Sequence, residues 1–183
     1  GLHIGGAPGG RDTFEQGLGQ WRTLGEQDGA TLARDRWHSA EGRFSMRLTN
    51  ARLGGSFGAI NAVPPFAPHK APLFTFDYRI TDTLRIDLNI RLDDGSWRAV
   101  RFTDRDRTWP VLGTIRGVIA DRRWHHAEVD LAGLLSAHGL SHRTVTGLAF
   151  MSTGYPGNEE GLAYHIDNTA LVPAVNGQRG VRI

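Results

Sequence analysis

The stretch LRIDLNIRL, residues 84–92, limits the possible folds more than any other part of the chain. Leu84, Ile86, Leu88, Ile90 and Leu92 alternate with Arg85, Asp87, Asn89 and Arg91. Successive side chains of a strand project to opposite faces, so this period of two predicts a strand buried on one side only. Asp93-Asp94-Gly95 follows, and Gly95 suits the positive φ of a three-residue hairpin loop. The returning segment WRAVRFT (97–103) then places Val100 and Phe102 inside and Trp97, Arg101 and Thr103 outside. Upstream, LFTFDYRI (73–80) repeats the rule, with Phe74, Phe76, Tyr78 and Ile80 alternating with Thr75, Asp77 and Arg79.

Further strands are predicted at RFSMRLT (43–49), GSFGAINAV (55–63), WHHAEVDL (124–131), VTGLAFMS (145–152), the opening stretch and the terminal HIDNTALV. The one helix expected is short, LAGLLSAH, started by Asp130 or Leu131 and sharing Leu131, Leu134 and Leu135 on one face. Many short strands with regular turns and almost no helix predict an all-β fold: a two-sheet antiparallel β-sandwich of the jelly-roll kind with at most one short helix. A length of 183 residues is one ordinary domain with a core that needs no staples, and there are no cysteines to supply them. The sandwich is expected over 11–174. The ends, 1–10 (GLHIGGAPGG) and 175–183 (closing in NGQRGVRI), read as linkers or tails of a module tethered to further domains.

Net charge is +2, with acids and arginines interspersed and Lys70 the only lysine, which argues against a nucleic-acid partner. No apolar run approaches the ~20 residues of a membrane span, so no membrane partner is expected. The outward residues of three consecutive strands carry more information. Asp77 and Arg79, then Asp87, Asn89 and Arg91, then Trp97 and Arg101 are expected to share one sheet face. The three-residue loop puts Arg91 opposite Trp97 and Asp87 opposite Arg101, for a cation–π and an ion pair. Such a face is either solvated or a sugar platform, with Arg, Asp and Asn bonding hydroxyls and Trp stacking on the C–H face of a ring. Trp109 and Tyr155, in turn-rich loops, are further stacking candidates or lids.

Asp12, Glu15, Glu41 and Asp167 offer hard oxygen donors suited to Ca²⁺. Adjacent His125 and His126 face opposite ways on a strand and do not readily share an ion. Glu128 and Asp130 project to one side, which leaves a sandwich hydrolase or polysaccharide lyase as an alternative. A structural or adhesive surface domain is the third reading. There is no nucleophile elbow, phosphate-binding glycine loop or zinc motif.

DTFE with Trp21 soon after, then EGRFSMRL, then HIDNTALV resembles the sandwich carbohydrate-binding modules of bacterial polysaccharide-degrading enzymes. The resemblance spans Asp12 to Pro173 and departs in the middle, at WRAVRFTDRDRTWP and ADRRWHHAEVDL. It implies a non-catalytic module, secreted or on the surface of a bacterium, that binds a poly- or oligosaccharide. It also implies one structural Ca²⁺ joining Glu15, the Glu41–Gly42 neighbourhood and Asp167. A weaker resemblance, carried by ADRRWHHAEVDL, is to laminin-G-like and pentraxin-like sandwiches, and implies Trp124 in the core.

Overall fold

A computed structural model describes residues 11–23, 30–53, 57–103, 109–152 and 157–174. In chain order the strands are β1 (Arg11–Asp12), β2 (Trp21–Thr23), β3 (Thr31–Asp35), β4 (Ser45–Thr49), β5 (Phe57–Asn61) and β6 (Leu73–Arg79). They continue as β7 (Asp87–Leu92), β8 (Trp97–Arg101), β9 (Val111–Thr114), β10 (Trp124–Asp130), helix α1 (Leu131–Ala137), β11 (Val145–Ser152) and β12 (Ala163–Val172). One sheet runs β10-β6-β12-β4-β3 with β1 beside β12; the other runs β2-β5-β11-β7-β8-β9. We call them the β12 sheet and the β7 sheet. The predicted β-sandwich is observed, mixed in one respect: β8 and β9 pair in parallel.

The alternation read from the sequence sorts the two faces of each sheet. Phe74, Phe76, Tyr78, Met46, Leu48, Tyr164 and Ile166 of the β12 sheet are buried against Phe57, Leu88, Ile90, Val100, Leu148 and Phe150 of the β7 sheet. Aromatic edges join the layers: Phe76 meets Phe150 at 4.8 Å between ring centroids and Phe57 meets Tyr164 at 5.0 Å. Each such side chain contributes about 1.5–3 kcal/mol by leaving water, so the inner faces hold the sandwich closed.

The 93–95 loop forms as expected, with Arg91 facing Trp97 in the ladder and Gly95 at φ +83°. The helix is capped by Asp130, whose Oδ1 accepts from the Gly133 N–H at 2.9 Å, and it buries Leu131 and Leu135. No helix of the described residues is long and apolar enough to cross a membrane.

One expectation about placement is corrected. The segment after Ile80 does not turn β6 back beside β7. The Leu84 N–H bonds the Thr81 carbonyl, and the Arg85 N–H and carbonyl are both held by the Asn158 side chain, at 2.8 and 2.9 Å. The chain thereby crosses from one sheet to the other. Asp77 and Arg79 consequently lie on the outer face of the β12 sheet, and Asp87, Asn89, Arg91, Trp97 and Arg101 on the outer face of the β7 sheet.

Candidate functional site

The outer face of the β7 sheet is built from the polar halves of β7 and β8. Register sets Arg91 between Gly147 and Trp97, and Asn89 between Ala149 and Ala99. Asn89, Ala99 and Ala149 are short and at most 3% exposed, so they form the closed middle of this face. At one end of it Trp97 and Trp109, both half-buried, stack at 5.5 Å with 26° between their planes. The guanidinium of Arg91 stands 5.8 Å from the Trp97 ring and is fixed by Thr146, whose hydroxyl and carbonyl accept from Arg91 Nε at 3.2 Å and from its terminal nitrogen at 3.0 Å. Gly147 gives it room: a Cβ there would lie 3.3 Å from three guanidinium atoms, a tight contact the side chain would have to shift to relieve.

At the other end lie Asp87 and Arg101. Asp87 Oδ1 accepts from the Phe102 N–H at 2.8 Å, which fixes that carboxylate to the strand behind it. The Asn89 side chain donates to the Asp87 carbonyl at 3.3 Å. Arg101 Nε is a buried donor without a hydrogen-bond partner among the described residues. Asp87 and Asn89, expected from the sequence to meet a ligand, are each 2% exposed and hold the strands instead; the groups this face offers to a planar, hydroxylated ligand are the stacked indoles and Arg91. Tyr155, the remaining stacking candidate, lies outside the described residues.

The outer face of the β12 sheet is a network of paired charges. Asp77 accepts from Asn168 Nδ2 at 2.8 Å and meets His126 Nδ1 at 2.7 Å. The imidazole of His126 is pulled above its ordinary pKa, first by that bond and then against the opposing effect of burial. Arg79 lies between Trp124 and His165 in the register of β10 and β12. Trp124 is therefore on the outer face, half-buried, with its ring edge toward His165, and not in the core as the laminin-G-like resemblance implied. His125 points the other way, against Tyr78.

The four acids expected to bind Ca²⁺ divide into two pairs. Glu15 and Asp167 clamp one loop: Glu15 Oε1 accepts from the Arg43 N–H, and Asp167 Oδ2 accepts from Ala40 and Glu41 N–H at 3.0 and 3.4 Å. Gly42, at φ +68°, lies so close under Glu15 that a Cβ would stand 1.6 Å from Oε1. The strand is bent at this point by a β-bulge, with Asn168 at φ +47° between the Asp167 and Ala170 pairings. Burial pushes the Asp167 carboxyl up to about 6, against three backbone N–H donors that favour its charged form. The other pair is engaged elsewhere. Asp12 accepts from Trp21 Nε1 at 3.0 Å, and Glu41 is turned outward to Arg11 at 3.3 Å.

A group that the sequence reading missed sits at the end of β3. His165 Nε2 is 2.8 Å and His38 Nδ1 3.1 Å from the same oxygen, Asp35 Oδ2. These are His/Asp ligand atoms within 4.8 Å of one another, a possible metal-ligand group. Burial opposes charge on Asp35, but the Trp37 N–H and the two imidazoles outweigh it and hold the carboxyl well below its ordinary range. Burial dominates at His165 and pushes it down to about 4, so its ring is neutral at pH 7. Neither β3 nor its pairing with β4 carries a strong alternation, and His38 and His165 are 127 positions apart, so no local pattern announced them.

Of the alternative catalytic pair, Asp130 is the helix cap and Glu128 faces His126 at 3.4 Å on the exposed side of β10, an edge strand.

No family model and no curated protein matches the sequence. Solved structures do match. The C-terminal family 22 carbohydrate-binding module of Clostridium thermocellum Xyn10B superposes with a TM-score of 0.51 over 90% of this chain and 94% of that one, at 14% identity. The family 11 module of the cellulosomal cellulase Lic26A-Cel5E of the same organism gives 0.51 over 89% and 92%, at 18% identity. The fold is that of the β-sandwich carbohydrate-binding modules. Among structures with this module fold, a Clostridium thermocellum family 11 module is in complex with a β-1,3-1,4-mixed-linked tetrasaccharide, at TM-score 0.50 and 15% identity over 92% of this chain and 98% of that one.

Proposed function

We propose that the chain is a non-catalytic carbohydrate-binding module that takes a poly- or oligosaccharide across the outer face of the β7 sheet. The observation that carries this reading is the Trp97–Trp109 stack beside Arg91, at the end of the floor made by Asn89, Ala99 and Ala149. A half-buried indole pair offers an apolar plane to the C–H face of a sugar. Arg91 supplies donors for its hydroxyls, with Arg101 further along the face, while the buried Asp87 and Asn89 hold the strands beneath. β-Linked backbones such as xylan and mixed-linkage glucan, bound by modules of this fold, are the first substrates to try. The setting consistent with such a ligand is an extracellular bacterial protein in which the module is tethered to further domains.

Affinity electrophoresis across a panel of soluble polysaccharides tests the reading. Retardation by at least one glycan is expected, and its loss when Trp97 and Trp109 are both changed to Ala places the site. A wild-type protein that no glycan retards counts against the proposal.

Calcium belongs to the same reading. Glu15 Oε2 is buried with no hydrogen-bond partner among the described residues, although its sister oxygen is bonded. A buried orphan carboxylate oxygen is costly unless a cation meets it. Glu15 and Asp167, which grip the same loop, are the residues that would hold Ca²⁺, a hard cation suited to oxygen donors. Its contribution there is stability, by binding the native state only.

A further inference from the structure

We propose that Asp35, His38 and His165 form a binding site for a divalent transition metal of the zinc class, separate from the sugar face and with ligands distinct from the Glu15–Asp167 clamp on the same β3–β4 loop. Three observations support it. The first is donor type: two imidazole nitrogens and one carboxylate oxygen suit a borderline dication such as Zn²⁺ or Co²⁺ and are a poor set for Ca²⁺.

The second is spacing. Zinc bonds of about 2.0–2.1 Å put neighbouring ligand atoms of a tetrahedral shell roughly 3.3 Å apart. The two imidazole nitrogens stand 2.8 and 3.1 Å from Asp35 Oδ2, and all three ligand atoms lie within 4.8 Å of one another, so the ion is admitted by a small opening about Oδ2 and a turn of the part-exposed His38 ring toward His165. Solvent supplies the fourth position, on the side where His38 is 41% exposed.

The third is that Asp35 Oδ2 is oversubscribed. A carboxylate oxygen has about two lone-pair directions. Here His38 Nδ1, His165 Nε2 and, at 3.4 Å, the Arg47 guanidinium all converge on it. Three nitrogens crowd an oxygen with two lone-pair directions, whereas two imidazole lone pairs and that oxygen around one cation do not compete. Arg47 is 39% exposed and can turn to water when the ion's charge takes its place.

The shell around the trio is that of a positioned site. The Trp37 N–H donates to Asp35 Oδ1 at 2.7 Å, fixing the carboxylate and leaving Oδ2 to the ligand side. His165 is held against the edge of Trp124 and packs beside His38 with 4.8 Å between ring centroids. The three ligands come from the end of β3, the β3–β4 loop and the last strand. An ion there would therefore cross-link both ends of the domain.

The test uses tag-free protein, with ZnCl₂ and CoCl₂ as probes. Zinc is expected to raise the melting temperature of the wild type, and cobalt to give the visible absorption of a four-coordinate site. His38→Ala, a part-exposed loop substitution, should abolish both. Asp35→Asn, which keeps the shape of the side chain, should weaken them at least tenfold in apparent affinity. CaCl₂ should produce no response that depends on His38. No visible cobalt band in the wild type overturns the proposal, whatever the variants do. So does a zinc response that survives in both variants, because it would then arise at His125, His126 or another surface histidine. A trio that is only hydrogen-bonded predicts a His38→Ala protein that is less stable and metal-blind alongside a metal-blind wild type.

Discussion

Trp97 and Trp109 come from a strand and from the far side of the following loop, yet their rings stack at 5.5 Å on the outer face of the β7 sheet. An indole pair in that position is only half shielded from water. Its energetic return comes when a third apolar plane covers it, and that is the role a sugar ring would take. Replacing either Trp by Ala is therefore expected to weaken glycan binding by about 2 kcal/mol, the scale of an aromatic hot spot, or roughly 30-fold. Isothermal titration with the best glycan reads this. Unchanged affinity in both variants would remove the stack from the site.

Gly42 beneath Glu15 gives the calcium reading a sharp handle. At φ +68°, with Glu15 Oε1 where a Cβ would be, Gly42→Ala must displace the carboxylate or the loop. A chelator is expected to lower the melting temperature of the wild type. With free Ca²⁺ at 100 times its Kd the native state gains about 2.7 kcal/mol. Glu15→Gln and Gly42→Ala should each remove the chelator effect. Equal melting temperatures with and without chelator in the wild type would show that this loop binds no ion.

The His126–Asp77 pair sets a pH dependence. His126 is raised above its ordinary value of 6.5 in the folded protein, chiefly by its bond to Asp77. The stabilisation it contributes is complete below 6.5 and is lost as pH rises through the higher folded value. The stability difference between wild type and His126→Gln should thus shrink as pH rises above 6.5 and through the raised folded value. Urea melts at three pH values test it, and a difference that grows with pH would reverse the assignment. His126 is largely exposed, so the effect is small.

Asn158 holds the crossing between the sheets. Its side chain bonds both the N–H and the carbonyl of Arg85, and its own carbonyl accepts from Asn50 at 2.8 Å. Asn158→Ala strips two backbone groups of their partners, each costing about 1–3 kcal/mol. A loss of roughly 2–4 kcal/mol in urea unfolding is expected, with glycan binding retained at low denaturant.

The fold was largely legible because alternation is a local signal. β6 follows it in sequence and in burial, β7 follows it in sequence while Asp87 and Asn89 on its polar side are buried too, and the 93–95 loop announced its own hairpin. β3 and β9 were not read: TLARD and VLGT are short, and β9 is held by a parallel pairing that has no turn to mark it. The pairing of Trp97 with Arg91 followed from loop length. Which sheet β6 belongs to did not, because alternation says which side faces the core and not which layer a strand joins. Asp77 and Arg79 were misplaced for that reason. The Asp35–His38–His165 group escaped for a related one: convergence of β3 and β12 through β4 is a property of strand order, and no residue window contains it.

The most direct test of the central claim is affinity electrophoresis of the wild type and the Trp97→Ala/Trp109→Ala double variant on gels containing xylan, mixed-linkage β-glucan and a wider glycan panel. The account predicts that at least one glycan retards the wild type and that the folded double variant runs as on a glycan-free gel. Free migration of the wild type on every glycan, or equal retardation of both proteins, would contradict it.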